Sequence, residues 1–280
     1  MIAVGPVPVV SLFPELHAKL MESLAGMDHA DWTRPTACPG WSVRDLAAHL
    51  LDGDIRKLSG SRDGFRPPPP AVDLSDYQNL VAFLNDLNAQ WVAVARRMSP
   101  RLLTEFLALT GPQVSALFAS LDPQAPARIP VAWAGDTVSP NWFDIGREYT
   151  ERWHHQQQIR DAAGQPPITS RKLLHPVLAL FLRALPHTYR HVEAPPGTTI
   201  TVRISGEARG DWSVLREGGR WSLFDGAPSS SAHAEVHLQQ DTAWRLLTNA
   251  YKSGEAAALV ECKGDAALAS VFLRTAAVVA

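Results

Sequence analysis

The hydrophobic pattern of this chain changes period once, at residues 191–197, where Pro195, Pro196 and Gly197 interrupt it. Before that point apolar residues recur every three or four positions, the spacing that gathers them on one face of a helix. After it they alternate, the spacing of a half-buried strand. The sequence therefore predicts an α portion, residues 1–192, followed by a small α+β portion, residues 198–280. With 280 residues and 46% hydrophobic composition, the chain carries enough apolar surface for both cores.

Residues 1–10 read as an irregular arm, and Ser11 as the cap of a helix reaching Met27, with Leu12, Leu16, Leu20 and Leu24 in register. A loop punctuated by Pro35, Pro39 and Gly40 leads to Ser42, which with Asp45 forms a capping-box pattern opening a second helix. Val43, Leu46, Ala47 and Leu50 are its apolar stripe, and His49 lies at the stripe's margin. Residues 60–70 read as an extended polar loop ending in four prolines. Helices are then expected from Asp73 or Ser75, from Arg101 to Ser120, from after Pro140 to Gly164, and from Thr169 or Ser170 to Tyr189. In the tail, Thr199–Ile204 reads as a strand, and Gly218-Gly219 as the tip of a hairpin. A further strand precedes a helix capped by Asp241, and a last helix runs from Ala267 to Ala277.

Bulk numbers exclude several classes of function. A net charge of -2, from 26 basic and 28 acidic residues, offers no electrostatic case for nucleic acid or an anionic membrane. No unbroken run of about 18 apolar residues suggests a bilayer span. Cys38 and Cys262 form neither a C-x-x-C pair nor a disulfide framework, so a reducing cytoplasm is expected. The N-terminus lacks a basic stretch and is broken by prolines, unlike a signal peptide.

The residues that carry chemistry lie on the helix after Pro140. Glu151 and His155 are four apart, so they share one face. Such a pair is also common on ordinary helix surfaces. A third donor, His49, stands on the second helix, and two imidazoles with one carboxylate make a mononuclear metal site with room for water or substrate. Zinc, nickel, iron and manganese all accept these ligands. Trp41 and Trp153 are candidate pocket walls. Asp52, Gln156 and Gln157 are candidate hydrogen-bond partners of the ligands. Cys38, held between Ala37 and Pro39, reads as a turn residue rather than a nucleophile.

Residues 35–50, PTACPGWSVRDLAAHL, resemble the P-T-x-C-P-G-W-x-V-x-D-x-x-x-H-L signature of the DinB/YfiT-like superfamily, and within it the mycothiol-dependent maleylpyruvate isomerase branch. Residues 151–155, ERWHH, resemble that branch's E-x-W-x-H helix. The resemblance covers roughly residues 10–165 and implies a four-helix bundle, with His49, Glu151 and His155 as ligands of a divalent metal, zinc first among the candidates. It implies a low-molecular-weight, mycothiol-like thiol as cosubstrate and a small-molecule substrate. The sequence leaves the oligomeric state open between monomer and homodimer, and its charge and hydropathy lead to no expected nucleic-acid or membrane partner. The implied activity is a cis–trans isomerase of the maleylpyruvate type or a thiol transferase. The tail resembles the family's C-terminal domain more weakly. It is where a cation for substrate carboxylates is expected, and Arg216, Arg220 and Arg245 are the candidates. One departure stands out: Gln156-Gln157-Gln158 follows His155 where many relatives carry an aspartate, and Asp161 comes later. The competing readings are a non-catalytic small-molecule-binding module with a structural metal, and a regulatory protein with a sensing tail.

Overall fold

The computed structural model describes residues 1–251 and 254–278. Its helices are α1 (Phe13–Ala25), α2 (Val43–Lys57), α3 (Tyr77–Ala95), α4 (Pro100–Ser120), α5 (Asn141–Ala163), α6 (Arg171–Phe181), α7 (Leu185–Tyr189), α8 (Gln240–Leu247) and α9 (Ala266–Val271). Its strands are β1 (Ile2–Ala3), β2 (Thr199–Ser205), β3 (Gly210–Glu217), β4 (Arg220–Asp225), β5 (Ala234–Gln239) and β6 (Glu261–Gly264). A helical N-terminal region thus precedes an α+β region, as the change of period predicts. Close approaches group the described residues into two compact units that interleave along the chain. One takes residues 9–128 and 151–167, the other residues 1–8, 129–150 and 168–278. Hydrophobic period reports what kind of element a segment forms, not which core it joins. A boundary at residues 192–198 therefore remains a proposal about how the sequence is assembled.

In the helical unit α2 packs on α3 and α4, and α1 on α4. Val43, Leu46, Ala47, Leu50 and Leu51 of α2 are buried together with Leu20, Leu24, Leu103 and Leu107. The stripe read from the sequence is therefore the one that enters the core. Helix α4 is long and apolar enough to cross a bilayer by composition. Its polar interruptions hide this from a search for unbroken apolar runs. Here Leu103, Leu107, Val114 and Phe118 face inward, and α1 and α2 pack against it, which is the position of a bundle helix. Pro112 lies inside α4. Lacking an N–H, it removes the ladder bond to the carbonyl of Ala108.

In the other unit the strands form one mixed sheet in the order β1-β4-β3-β2-β5-β6. Only β2 and β5 run parallel; the remaining neighbours are antiparallel. Ile200, Val202, Ile204, Val214, Val236 and Leu238 alternate onto a buried face, and α8 contacts β2 and β5 while α9 contacts β5 and β6. Gly218 and Gly219 turn the β3–β4 hairpin with φ of 54° and 79°, a left-handed pair that glycine adopts without a Cβ clash.

Several local expectations are corrected. The N-terminal arm is partly ordered, because Ile2 and Ala3 pair with Asp225 and Phe224. Ser11 does not cap α1; a 3-10 turn at Val10–Leu12 leads into it, and Pro14 occupies the first turn. Residues 58–62 extend α2 as a π-helical turn rather than entering the loop at once. The helix expected up to Tyr189 breaks into α6, a 3-10 turn and α7, with Pro186 at the new start. Asp241 lies inside α8, where it accepts from Trp244 Nε1 at 2.9 Å instead of capping the helix. The last helix is shorter than expected, ending as a 3-10 turn at Phe272–Arg274.

The cap of α2 is as read. Ser42 accepts from Asp45 N, and Asp45 Oδ2 accepts from Ser42 N at 3.0 Å. Arg96, just past the end of α3, donates to both oxygens of Asp45, at 3.1 Å each. Burial pushes the Asp45 carboxyl pKa up, but Arg96 and Ser42 outweigh it and the net direction is downward. A lowered carboxyl stabilises the fold above its unfolded value and loses that contribution as pH falls below the ordinary carboxylate range. Ser42→Ala is expected to cost about 1 kcal/mol. Asp45→Asn is expected to destabilise at pH 7, with wild type and variant converging below about pH 4. Urea unfolding across that range measures both.

Candidate metal centre

His49 reaches the site because the segment before α2 is tightly folded. Trp41 N donates to Cys38 O at 3.0 Å, closing a turn with Pro39 and Gly40 at its corners. Gly40 takes φ 78°, which a type II turn requires at that position. Thr36 Oγ1 donates to Trp41 O at 2.9 Å and accepts from Cys38 N at 3.2 Å. The turn sets Trp41 against the start of α2, and its ring lies 5.2 Å from that of His49.

Glu151 and His155 project from the second half of α5, one turn apart as the sequence predicts. One atom, Glu151 Oε1, sits 2.9 Å from His49 Nε2 and 3.1 Å from His155 Nε2. The two imidazoles meet edge-on with centroids 4.8 Å apart. One donor atom from each of the three residues lies within 4.8 Å of the others. All three come from one compact unit. His155 is 7% exposed, whereas the Glu151 side chain keeps 40% of its surface open. The carboxylate is surrounded by protein atoms, yet one side faces solvent.

Proton bookkeeping follows from the outer nitrogens. His155 Nδ1 lies 2.8 Å from Gln158 Oε1, and the Cys38 thiol donates to the same oxygen at 3.4 Å. An amide oxygen only accepts, so Nδ1 of His155 carries a proton. If Nε2 also donates to Glu151, the ring is an imidazolium. Burial lowers the His155 pKa, but the Glu151 charge and the bonds to Cys38 and Glu151 raise it, to about 10. For Glu151 burial works upward, and the two imidazoles override it, leaving its pKa well below the ordinary carboxylate value. Without a cation the site is thus a His155–Glu151 ion pair, with His49 donating through Nε2. His49 Nδ1 is then a buried nitrogen without a hydrogen-bond partner.

This donor set fits a divalent cation. A cation takes the place of the inward protons, and the three inward atoms are the nitrogen and oxygen types that zinc-like ions accept. In tetrahedral coordination with bonds of about 2.1 Å the ligand atoms stand about 3.4 Å apart, so the carboxylate–imidazole separations of 2.9 and 3.1 Å need open by only a few tenths of an ångström. His155 already has its outer nitrogen held by Gln158, the usual way a ligating imidazole is oriented.

The remaining candidates separate. Asp52 accepts from Arg56 at 3.2 Å and Gln157 donates to Asp161 at 2.8 Å, so both are engaged within their own helices. Trp153 is fully buried. Gln156 is buried with both amide atoms lacking a partner. Gln158 was missed as the partner of His155; its three-residue spacing on the same helix was the available signal. Arg216 lies over Trp221 and donates to Gly219 O, and Arg245 pairs with Asp241 at 3.0 Å. Arg216, Arg220 and Arg245 all belong to the α+β unit.

On the adjoining face of α5, Arg152 donates to Asp54 Oδ1 at 2.8 Å, and Thr110 donates to Asp54 Oδ2 at 2.7 Å. This pair ties α5 to α2 one residue from Glu151.

Residues 13–160 match the mycothiol maleylpyruvate isomerase N-terminal domain family, and the chain belongs to it. Uncharacterised proteins from two strains of Mycobacterium tuberculosis are 26% identical over 208 residues, covering 73% of this chain and 72% of theirs. Crystal structures of the mycothiol-dependent maleylpyruvate isomerase and of a point variant share the fold, with TM-score 0.54, 11% identity and 91% coverage of both chains.

Removing one partner of the Arg152–Asp54 pair leaves a buried charge uncompensated. Arg152→Met is expected to cost about 3 kcal/mol in chemical unfolding. Arg152→Met combined with Asp54→Leu is expected to recover most of that loss.

Proposed function

We propose that this protein is a metal-dependent enzyme using a mycothiol-like low-molecular-weight thiol, either a maleylpyruvate-type cis–trans isomerase or a thiol transferase. The observation that carries the proposal is the meeting of His49, His155 and Glu151 from two helices at one point with a solvent-open side. Membership of the mycothiol maleylpyruvate isomerase family supports the choice of thiol. In this reading His49 Nε2, His155 Nε2 and Glu151 Oε1 hold the cation, with zinc the first candidate. When bound there, a divalent cation lowers the pKa of a thiol or water and polarises substrate oxygens.

The chain's own residues do the rest. Gln158 keeps the proton of His155 on Nδ1, so that Nε2 points its lone pair inward. Trp41 covers one side of His49 and restricts access there. The open side of Glu151 is where thiol and substrate enter. In the isomerase reading the thiolate sulfur bonds to the alkene carbon of a conjugated acid. The π electrons move to the carbonyl oxygen as an enolate, and the former double bond turns. The electron pair then re-forms the alkene as the C–S bond breaks. The thiolate is regenerated, and neither an oxidant nor a protein nucleophile is consumed. Two free cysteines accord with a cytoplasmic setting, which belongs to the same proposal.

A binding module with a structural metal is the competing reading. Structural sites close their coordination with protein ligands, whereas catalytic ones keep a position open. Three donors and an exposed carboxylate edge favour the catalytic reading.

Elemental analysis of purified protein is expected to find about one divalent ion per chain. His155→Ala is expected to lose most of it, and full occupancy in that variant would remove the basis of the proposal. Gln158→Leu is expected to bind metal about 10- to 100-fold more weakly. With His155 protonated up to about pH 10 in the metal-free site, binding at pH 7 is expected to release about one proton, measurable by calorimetry in buffers of different ionisation enthalpy. Thiol-dependent turnover of maleylpyruvate, abolished by chelation, separates the enzyme from the binding module.

A further inference from the structure

Arg152 and Gln156 each follow a member of the cluster by one residue, so a helical step of about 100° turns them to another face. That face borders a partly open pocket of about 30 Å³ in the helical unit, lined by α1, α2, α4 and α5. Most of its wall is apolar, including Leu16, Leu50 and Leu107. Its polar groups come from His17, Asp54, Ser115, Arg152 and Gln156. Gln156 is 1% exposed, and neither its Nε2 nor its Oε1 has a hydrogen-bond partner. An amide so deeply buried is costly unless something in the cavity bonds to it. Glycine at position 111 makes room for the His17 ring on this wall, since a Cβ there would stand 2.2 Å from Cε1 of His17.

The chemistry of the occupant follows from charge and size. Arg152 and Asp54 neutralise one another across 2.8 Å, so the cavity does not select an ion. Gln156 presents a donor and an acceptor together, so the occupant must both accept and donate. A water needs about 10–15 Å³ of such space, and 30 Å³ admits about two. We propose that the part of this pocket at the buried Gln156 amide is a hydration site, holding two water molecules that satisfy that amide and link α5 to α1 and α4. The site does not depend on the cation proposed above, since none of that cation's three ligands lines it.

High-resolution crystallography of the full chain tests this directly. The expected result is two ordered waters within hydrogen-bond distance of Gln156 Oε1 and Nε2. Oxygen-17 relaxation dispersion in solution is expected to detect long-lived waters that vanish in Gln156→Met, with the melting temperature of that variant lowered. Bare density at both ends of the wild-type amide would overturn the proposal. A melting temperature for Gln156→Met above wild type would do the same, because removing an unsatisfied amide stabilises.

Discussion

One carboxylate oxygen, Oε1 of Glu151, is shared by imidazoles from two helices that are 102 and four residues away in sequence. This sharing is demanding. It requires α2 to start at the right residue, α5 to present the correct face, and the two helices to hold their register. The cap at Ser42 and Asp45 fixes the first condition, and the four-residue spacing of Glu151 and His155 fixes the second. The buried Arg152–Asp54 pair secures the third, because it joins α5 to α2 beside the shared oxygen. Packing of α2, α3 and α4 supplies the rigidity that keeps three donors pointing at one another.

The electrostatics have a functional sense. A half-buried acid flanked by two imidazoles stays ionised, and His155 stays protonated, when no cation is present. The site therefore stores a proton where the proposed cation would sit. Exchange of one for the other exposes neither a bare carboxylate nor an unpaired imidazolium to the core. Gln158 matters here because its oxygen accepts from His155 and from Cys38 together, which leaves no alternative tautomer for the inward nitrogen. Cys38 thus contributes to the turn through its backbone and to the ligand arrangement through its sulfur.

Much of this was legible in the sequence, for identifiable reasons. Helical periodicity and the Ser42/Asp45 pattern are local, so α2 and its buried face could be read directly. Glu151 and His155 share a helix, so their proximity follows from geometry alone. His49 is different: nothing local places it beside α5, so donor chemistry could only nominate it, and the resemblance to a family supported the link between the two segments. Gln158 was passed over in favour of Gln156 and Gln157, because periodicity places a residue on a face but does not say which amide reaches which ring. The pairing of Ile2 and Ala3 with β4 escaped for the same reason, as a two-residue strand has no period. The division into units was also beyond a pattern-based reading, since α5 contributes its first ten residues to one unit and the rest to the other.

The claim on which all of this rests is that three side chains hold one cation. Loading the purified protein with cobalt(II) and recording the visible spectrum tests it most directly. A tetrahedral or five-coordinate site of two imidazoles and a carboxylate absorbs intensely in the d–d region, and the account predicts such bands at one equivalent of cobalt. They should collapse to the weak spectrum of solvated ion in His49→Ala as well as in Glu151→Gln. A cobalt spectrum in the wild type no stronger than that of the free aqueous ion, or one unchanged by loss of His49, would contradict it.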